Sequence, residues 1–351
     1  MTRLIRQSLT AYASPLCETV VEVPDPVGSE IVVRIHCCGV CHSDVHLQDG
    51  YFLLGGDKRL DVTGGRALPF TLGHEIAGVV ERIGPQAEGV ALGQAVAVYP
   101  WIGCGACPAC AAGDENLCAA PRHLGVYVDG GFATHVLVPH PRYLLDYAPL
   151  TPALAGAYMC SGLTAYAALK RLAHHAARGP ALLVGLGGVG MMGLALARAM
   201  FAFPPLVAEI DPAKREAALA AGAAAAFDPA DPAARKAILA LTGGVFAVCD
   251  FVGSDRSLQF ALGALAKGGK VVVTGLIGGT YATPIAMFPL RAMTIEGTLV
   301  GRLDEAREML ALARAGKVAP VPIIERPLAA AQTSLDDLRN GRIVGRVVLT
   351  A

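Results

Sequence analysis

A glycine-rich turn near the middle of the chain constrains the fold more than any other feature of the sequence. The apolar run ALLVG ends at Gly185, and Gly187 and Gly190 complete a GxGxxG spacing around Gly188 and Val189, ahead of the run MMGLALARAM. Glycines at this spacing allow a tight turn after a strand and a close approach of the backbone to a pyrophosphate group. The segment therefore predicts a strand, a turn and a helix whose N-terminus binds a dinucleotide.

An acidic residue follows this turn at the distance expected for a group that binds ribose. Glu209 closes the strand-like run LVAEI, about twenty residues after the turn. Its carboxylate would accept hydrogen bonds from the ribose hydroxyls and would repel a 2′-phosphate, so the sequence favours NAD over NADP. Asp211 is a second candidate for this role, and Lys214 is a candidate for a contact to the adenosine ribose.

The residues after the turn alternate between strand-like and helix-like segments. LVAEI, VFAVCDFVG and KVVVTGLIG are strand-like, while PAKREAALAAGA and SLQFALGALAKGG have a helical composition. This alternation is typical of a parallel sheet built from βαβ units. The sequence therefore predicts an α/β fold class, with a doubly wound parallel sheet of the Rossmann type in residues 153–301.

The rest of the chain has the character of a β-rich domain. IVVRIHCCGV, EIAGVVERIG and ATHVLVP are short runs of β-branched residues separated by glycine and proline, and the final run GRIVGRVVLTA is similar to them. We therefore expect residues 1–152 and 302–351 to form one β-rich domain, into which the parallel-sheet domain is inserted.

Four cysteines, Cys104, Cys107, Cys110 and Cys118, lie in the segment CGACPACAAGDENLC. Three thiols at CxxC spacing around a turn and a fourth from a short return segment can complete a tetrahedron. Zinc prefers such a closed set of thiolates in structural sites, and an iron–sulfur cluster is the main alternative. The sequence therefore predicts a structural zinc lobe at about residues 100–120, without an open position for catalysis.

A second set of possible metal ligands is scattered along the chain. Cys41 lies in GVCHSDVH, His74 and Glu75 lie in TLGHEIAG, and Cys160 lies in MCSGLTAY. Two thiolates and one imidazole leave a coordination position for water or substrate, which is the arrangement of a catalytic zinc. Each residue also has an ordinary explanation, because a buried cysteine often packs as a small apolar side chain. Sequence spacing alone does not show that these residues meet.

Charge and cysteine content limit the classes of partner. Lysine plus arginine and aspartate plus glutamate both total 29, so there is no basic field to attract nucleic acid or an anionic membrane. The first residues, MTRLIRQSLTAYASPLCETV, lack the apolar core of a secretory signal, and no apolar run is long enough for a convincing membrane span. Ten cysteines in such a chain suggest thiolate chemistry in a reducing compartment. We expect a cytoplasmic protein with a small-molecule partner.

Taken together and in order, GVCHSD, GHE, the four-cysteine segment and GLGGVG resemble the zinc-dependent medium-chain alcohol dehydrogenases, within the medium-chain dehydrogenase/reductase superfamily. The resemblance covers essentially the whole chain. It implies a GroES-like catalytic domain, a Rossmann NAD domain and two zinc ions per chain, one catalytic and one structural. It also implies a homotetramer or a homodimer, paired through the strand-like segment FPLRAMTIEGTLVG.

The resemblance assigns roles around the catalytic zinc. Cys41, His74 and Cys160 match the zinc ligands, Glu75 matches a nearby or exchangeable ligand, and Asp44 matches the group that orients His74. The chemistry implied is hydride transfer between an alcohol and NAD, with zinc acting as a Lewis acid on the alcohol or carbonyl oxygen.

Further residues match the proton relay and the cofactor contacts of that family. Ser43 matches the hydroxyl that takes the substrate proton and His46 the residue that carries it towards solvent. His42 lies where the family contacts the pyrophosphate, and the backbone of Leu276 and Ile277 resembles the edge that seats the nicotinamide. One position departs from the pattern, because Leu303 stands where an arginine often binds the pyrophosphate and Arg302 comes one residue earlier.

The substrate is the least constrained part of the sequence. Tyr51, Phe52 and Trp101 are predicted to line the pocket, although these aromatic residues could simply pack the domain. The loop LLGGDKRLDVTGGRALPF with YPWIGCGACPAC resembles bacterial enzymes of the 6-hydroxyhexanoate-dehydrogenase type, which favours a medium-chain primary alcohol or an ω-hydroxy acid. Secondary or cyclic alcohols stay open, as do a zinc-independent reductase of the quinone-reductase type and a non-catalytic nucleotide-binding protein.

Overall fold

The computed structural model describes residues 3–351, and the first half of this range is mainly β-structure. The strands in this half, in chain order, are β1 Arg3–Leu9, β2 Cys17–Glu22, β3 Ile31–Gly39, β4 Tyr51–Gly55, β5 Lys58–Asp61, β6 Phe70–Thr71, β7 Glu75–Ile83, β8 Ala95–Val98, β9 His135–Val138 and β10 Leu144–Leu145. Its helices are α1 His42–Asp49, α2 Pro108–Ala111, α3 Pro152–Ala157 and α4 Leu163–Ala176. Glu115–Leu117 and Pro141–Tyr143 are 3-10 turns, and Tyr158–Gly162 is a π-helical segment.

Strands and helices alternate in the second half. The strands are β11 Leu182–Val184, β12 Leu206–Ala208, β13 Ala225–Phe227, β14 Val245–Asp250, β15 Leu265–Val273, β16 Thr294–Gly297, β17 Ile323–Pro327 and β18 Arg346–Thr350. The helices are α5 Gly188–Met200, α6 Pro212–Ala220, α7 Ala234–Thr242, α8 Asp255–Ala264, α9 Met287–Arg291, α10 Leu303–Arg314 and α11 Ala331–Arg339, with a 3-10 turn at Leu328–Ala330.

Strand β3 is at the centre of the β-rich sheet. This sheet has the order β10-β8-β7-β3-β18-β17, and β9 also pairs with β3. Its β-branched residues Ile31, Val33 and Ile35 alternate along the strand and therefore lie on one face, which is buried. The late strand β18 runs antiparallel to β3, with Val348 opposite Gly39. The chain therefore returns to its first sheet after the parallel sheet has been completed.

The second sheet is parallel throughout, in the order β13-β12-β11-β14-β15-β16. Strand β11 lies next to both β12 and β14, so the strand order reverses there and leaves a crevice at the carboxyl ends of these strands. Such a crevice is where doubly wound sheets bind nucleotides. The predicted α/β fold class, a β-rich part with a parallel sheet of the Rossmann type, is confirmed. The boundaries at residues 152 and 302 stay predictions.

The helical stretch from α3 to α4 joins the two sheets. Helix α3 packs against β3 and β7, whereas α4 packs against α5, β14 and β15. Between these helices lies the π-helical segment, which carries Cys160. Single-turn π-segments inside helices are frequent at functional sites. This one directs a cysteine into the space between the two sheets.

The segment FPLRAMTIEGTLVG differs from the strand-like character expected from its sequence. Residues Met287–Arg291 form helix α9, and only Thr294–Gly297 are extended. Pro289 is tolerated because it lies in the first turn, where a backbone donor is not required. Ala292 ends the helix at a φ of 46°. Among residues 3–351, no helix combines the length and the apolar content needed to cross a membrane.

Candidate active site

Three scattered donor residues meet between the two sheets. Cys41 precedes helix α1, His74 lies in the loop before β7, and Cys160 lies in the π-helical segment. All three are buried and one ligand atom from each lies within 4.8 Å of the others. The sulfur atoms of Cys41 and Cys160 are 4.0 Å apart. Two sulfurs of a tetrahedral zinc site lie about 3.8 Å apart when each Zn–S bond is about 2.3 Å, so the geometry suits zinc.

The charges around these donors favour a metal-binding state. The thiol of Cys160 hydrogen-bonds to Cys41, and this bond, with help from His74 and Arg346, holds the pKa of Cys41 well below its usual range although burial opposes it. The Nδ1 atom of His74 lies 3.2 Å from Oδ1 of Asp44, and Nε2 is buried without a hydrogen-bond partner among residues 3–351. A buried ring nitrogen beside two sulfurs is the donor set of an open zinc site, so the residues present fit the metal.

Asp44 is fixed by the backbone around it. Its carboxylate accepts hydrogen bonds from the backbone N–H of Cys41 at 2.9 Å and of Gly73 at 3.1 Å. A carboxylate next to the second ring nitrogen sets the orientation of a metal-binding histidine. Asp44 therefore connects the two chain segments that carry Cys41 and His74.

Glu75 lies beside the three donors but is paired elsewhere. Its Oε1 atom accepts a hydrogen bond from the backbone N–H of Ser161 at 3.1 Å, and Oε2 accepts one from Nη2 of Arg346 at 2.5 Å. Arg346 is a site residue that the sequence reasoning missed. The only signal for it is a charged side chain within the apolar run of β18, where alternation along the strand would place it on a buried face.

The four-cysteine segment folds into a closed set of thiols. The sulfur of Cys107 lies 3.5 Å from that of Cys110 and 3.7 Å from that of Cys118, and all four ligand sulfurs lie within 4.8 Å of one another. The pKa of Cys107 is lowered to about 6, first by a hydrogen bond from the backbone of Cys110. The backbone N–H of Cys104 also points at the sulfur of Cys118. Such N–H to sulfur bonds stabilise thiolates, so the lobe fits a structural zinc.

The lobe contacts the segment that leaves the parallel sheet. Asn116 donates a hydrogen bond to the carbonyl oxygen of Leu299 at 2.7 Å, and Arg302 forms an ion pair with Asp114 at 3.2 Å. Arg302 also precedes helix α10, which begins at Leu303. The side chain of Arg302 is thus bound to the lobe, and Leu303 offers no charge for a pyrophosphate contact.

The glycine-rich turn has the shape that a pyrophosphate group needs. Gly185 has a φ of 87°, and a Cβ atom on Gly190 would lie 2.0 Å from the carbonyl oxygen of Gly185, so both positions require glycine. Gly187 caps helix α5, and a Cβ atom there would meet nothing within 4 Å. Open space at the N-terminus of α5 fits a nucleotide phosphate. Val189 follows Gly188 in the first turn of the same helix.

The two acidic candidates for the ribose contact have different surroundings. Glu209 is buried and its carboxylate accepts hydrogen bonds from the backbone N–H of Leu186 at 2.6 Å and of Asp211 at 3.0 Å. Asp211 instead caps helix α6 through a bond from the N–H of Ala213 at 2.9 Å. The carboxylate of Glu209 therefore lies against the turn that carries the glycines, whereas that of Asp211 is used by its own helix.

Cationic groups surround the same turn. The Nη1 atom of Arg346 would lie 2.6 Å from a Cβ atom on Gly188, so Arg346 reaches from the β-rich sheet to the glycine motif. The pKa of His42 is lowered, first by desolvation, and the charges of Arg346 and Lys214 contribute to this shift. The side chains of Arg346 and Lys214 therefore concentrate positive charge where a pyrophosphate would bind. Arg346 thus links Glu75 beside the three donors to the nucleotide turn.

The other side of the cleft is formed by helix α1 and the β4–β5 hairpin. The ring of His46 lies 4.7 Å from the ring of Phe52, and Ser43 lies on the same short helix. Tyr51 lies under the guanidinium of Arg59 at 4.0 Å.

The loop after β15 closes the cleft from the parallel-sheet side. Leu276 and Ile277 are 50% and 60% exposed there, although both are apolar. A Cβ atom on Gly278 would lie 2.4 Å from the carbonyl oxygen of Leu53, so the hairpin contacts this loop directly. The exposed apolar side chains and the hairpin therefore border one cleft.

Trp101 packs against the donor histidine. Its ring lies 5.3 Å from the ring of His74, and its Nε1 atom donates a hydrogen bond to the carbonyl oxygen of Met159 at 2.9 Å. On the far side of Trp101 lies His123, at 5.4 Å between ring centroids. The sequence reasoning did not single out His123, because nothing in PRHLGVYVDG marks it as lying close to the metal ligands.

A nucleotide-type sheet facing two thiolates and one imidazole defines a zinc-dependent dehydrogenase that uses a nicotinamide dinucleotide. Comparison with known families agrees. Residues 28–148 match the alcohol dehydrogenase GroES-like domain, and residues 188–315 match the zinc-binding dehydrogenase domain. The chain is 35% identical over 343 residues to an NAD-dependent alcohol dehydrogenase of Sulfurisphaera tokodaii, covering 97% of this chain and 98% of that protein. The chain belongs to the zinc-dependent medium-chain alcohol dehydrogenase family.

Solved structures give the same result. The alcohol dehydrogenase of the archaeon Aeropyrum pernix superposes with a TM-score of 0.88 at 29% identity, covering 99% of this chain and 100% of that one. The D-arabinose dehydrogenase of Sulfolobus solfataricus superposes with a TM-score of 0.85 at 25% identity over 100% of both chains. The protein is therefore an oxidoreductase of the NAD-dependent alcohol dehydrogenase class, with zinc and NAD as its cofactors.

Proposed function

We propose that Cys41, His74 and Cys160 hold the catalytic zinc of an enzyme that interconverts alcohols with aldehydes or ketones. The observation that carries this proposal is the meeting of three buried donor atoms within 4.8 Å, next to a nucleotide turn. Zinc, when bound, supplies a Lewis acid for the alcohol or carbonyl oxygen, and NAD exchanges the hydride. Cys104, Cys107, Cys110 and Cys118 hold the structural zinc. Glu75 stays next to the donors as the partner of Arg346.

The chain's own residues move the proton of the alcohol. Ser43 accepts this proton at Oγ, and His46 receives it on its way to solvent. The pKa of His46 is lowered by its burial and then by the nearby His42, so its imidazole is neutral at pH 7 and able to accept a proton. Both residues lie on α1, one helical turn apart, directly after Cys41.

Cofactor binding uses both faces of the cleft. Glu209 accepts hydrogen bonds from the hydroxyls of the adenosine ribose, and Lys214 contacts the same ribose. The turn from Gly185 to Gly190 and the side chain of His42 bind the pyrophosphate. The backbone of Leu276 and Ile277 would hold the nicotinamide, and their exposed apolar side chains would exclude water from that part of the cleft.

The proposed substrate class is a medium-chain primary alcohol or an ω-hydroxy acid such as 6-hydroxyhexanoate, with secondary or cyclic alcohols as the alternative. Trp101 packs beside His74, and Phe52 packs beside His46, so both aromatic rings border the path to the donors. Tyr51 adjoins Phe52 on the same strand. A panel of alcohols, aldehydes and ketones assayed with NAD and with NADP separates these classes by nicotinamide absorbance.

Replacing a single ligand tests the proposal directly. Cys41→Ala should abolish alcohol oxidation and remove one of the two zinc ions per chain, because two remaining donors hold zinc poorly. Cys17→Ala is the matched control, since Cys17 is exposed and lies outside both clusters. Turnover by Cys41→Ala at the wild-type rate would favour a zinc-independent reductase of the quinone-reductase type. Failure of the wild-type protein to oxidise any alcohol, with NAD bound, would favour a non-catalytic nucleotide-binding protein.

Location and assembly are further parts of the proposal. Clusters of reduced thiolates suit the cytoplasm, which we propose as the compartment. Strand β16 lies at an edge of the parallel sheet and is available to pair with a second copy. We propose a homotetramer, with a homodimer as the alternative. Sedimentation equilibrium of the zinc-loaded protein distinguishes the two assemblies.

A further inference from the structure

The single tryptophan of the chain, Trp101, contacts two of the donor-bearing segments at once. Its ring packs on the ring of His74, at 5.3 Å between centroids, and its Nε1 atom donates a hydrogen bond to the carbonyl oxygen of Met159 at 2.9 Å. Met159 directly precedes Cys160 in the π-helical segment. Both Trp101 and Met159 are buried. One side chain therefore joins the loop that carries His74 to the segment that carries Cys160.

The hydrogen bond to Met159 lies where the helix departs from α geometry. The backbone N–H of Leu163 bonds to the carbonyl oxygens of Tyr158, five residues earlier, and of Cys160. An α-helix would pair this N–H with the carbonyl oxygen of Met159, four residues earlier. The change of register leaves that oxygen open to a donor from outside the helix, and the indole of Trp101 supplies one.

The residues on both sides of Cys160 are held by side chains from the neighbourhood of His74. On one side lies the hydrogen bond from Trp101 described above. On the other side, Oε1 of Glu75 accepts a hydrogen bond from the backbone N–H of Ser161 at 3.1 Å. Glu75 directly follows His74 in sequence, and Trp101 packs on the ring of His74. These two hydrogen bonds therefore fix where the backbone of Cys160 lies relative to His74.

The backbone around Trp101 is itself fixed by the four-cysteine lobe and the segment after it. The carbonyl oxygens of Pro100 and Ile102 accept hydrogen bonds at 3.0 and 2.8 Å from backbone N–H groups of the segment that follows the lobe. The backbone N–H of Gly103 donates to the carboxylate of Glu115 at 2.9 Å. The position of Trp101 is thus set by contacts that involve none of the three donor residues.

We propose that Trp101 is a positioning residue for the catalytic metal site. Its indole N–H holds the segment of Cys160 and its ring holds the plane of His74, so the donor atoms lie close together before a metal ion binds. Loss of a group that orients metal ligands lowers metal affinity by about 10- to 100-fold. This role is distinct from lining the substrate pocket. It rests on the proposed function, since it concerns the same zinc.

The test measures zinc affinity in the zinc-loaded protein by competition with a chromogenic chelator. Trp101→Phe keeps an aromatic ring next to His74 and removes the indole N–H. Its affinity for the catalytic zinc, identified as the ion that Cys41→Ala lacks, should fall about tenfold or more, while the affinity of the four-cysteine lobe stays unchanged. Unchanged affinity for the catalytic zinc would overturn the inference, and so would a loss confined to the lobe.

Tyr99→Phe is the matched control. Tyr99 is also buried, lies two residues before Trp101, and donates from its hydroxyl to the carbonyl oxygen of Gly301 at 2.9 Å. Its replacement therefore removes a bond of the same kind that touches no donor segment, and both zinc affinities should stay at their wild-type values. An equal fall in zinc affinity in Tyr99→Phe would reduce the effect to general destabilisation and overturn the inference.

A second form of the protein isolates the N–H group itself. Because Trp101 is the only tryptophan, growth on benzothienylalanine replaces this residue alone and exchanges the indole N–H for sulfur at nearly unchanged size. The catalytic zinc should again be bound about tenfold or more weakly, and this form decides if Trp101→Phe does not fold. A changed KM for alcohols with unchanged zinc affinity would mean that Trp101 only lines the pocket, which overturns the inference. A wild-type protein that loads both zinc ions and oxidises no alcohol would instead contradict the proposed function.

Discussion

Nη2 of Arg346 donates a hydrogen bond to Oε2 of Glu75 at 2.5 Å, and both side chains are almost fully buried, at 4% and 0% exposure. The pair joins β18 to the first residue of β7, directly after His74. A Cβ atom on Gly39 would lie 2.0 Å from the same carboxylate oxygen, so glycine is required where β3 passes the pair. The ion pair therefore determines how three strands meet under the donor site.

Replacing one partner of this ion pair should lower the free energy of unfolding more than replacing both partners. Arg346→Met leaves the carboxylate of Glu75 buried without its partner, which should lower the free energy of unfolding by about 3–5 kcal/mol. The double variant Arg346→Met with Glu75→Gln removes both charges and should recover a large part of that loss. Urea unfolding of the zinc-loaded proteins measures both. A double variant no more stable than the single one would show that the pair is not the source of the effect.

Loss of one cysteine of the lobe should remove one zinc and leave the other. In Cys110→Ser the closed set of four thiolates is incomplete, so metal analysis should find one zinc per chain in place of two. The melting temperature should fall, because the metal no longer crosslinks the lobe. Cys17→Ser is the control, since Cys17 belongs to neither cluster, and it should retain both ions. Two zinc ions in Cys110→Ser would contradict the assignment of the lobe.

Cofactor choice should depend on Glu209 and not on Asp211. Glu209→Gln removes the charge next to the glycine turn, so kcat/KM with NAD should fall about tenfold or more while discrimination against NADP weakens. Asp211→Ala removes the cap of α6 and should cost about 1 kcal/mol of stability with the cofactor ratio unchanged. Initial rates with both cofactors test the first expectation, and thermal unfolding tests the second. A changed cofactor ratio in Asp211→Ala alone would reverse the assignment.

Acid stability should report the neutral state of His123. Its pKa is about 4 in the folded chain against an ordinary value of 6.5, so between these values the unfolded chain binds a proton that the folded chain does not. Stability is therefore lost as the pH falls through this window, by about 1.4 kcal/mol per pH unit from this residue. His123→Gln should show a correspondingly shallower loss when urea unfolding is repeated from pH 7 to pH 4. Parallel curves for the two proteins would mean that His123 titrates normally.

Local sequence spacing was enough to predict the glycine turn and the four-cysteine lobe. The glycines of the turn and the four cysteines of the lobe are close in sequence, and their spacing alone limits what they can form. The three scattered donors needed the resemblance to a family, because residues 41, 74 and 160 meet only through tertiary structure. The strand-like prediction for FPLRAMTIEGTLVG was wrong for its first residues, which lie in helix α9, because a proline early in a short helix carries little local signal.

Arg346 and His123 could not be predicted for a different reason. Arg346 pairs with a residue 271 positions earlier, so no local pattern connects them. The lowered pKa of His123 results from its burial, and burial can be recognised only when all the neighbours are in place. In both cases the chemistry depends on packing between distant segments, which periodicity and composition do not describe.

The position of Arg346 also bears on the order of folding during synthesis. Strand β7, which begins with Glu75, and its neighbour β3 leave the ribosome long before β18. The whole parallel sheet is encoded between β7 and β18. Until residue 346 has emerged, the carboxylate of Glu75 has no cation to pair with, and burying it alone is costly. The parallel sheet can therefore complete its folding during translation, whereas the metal-binding half must wait for a strand made near the end of this sequence.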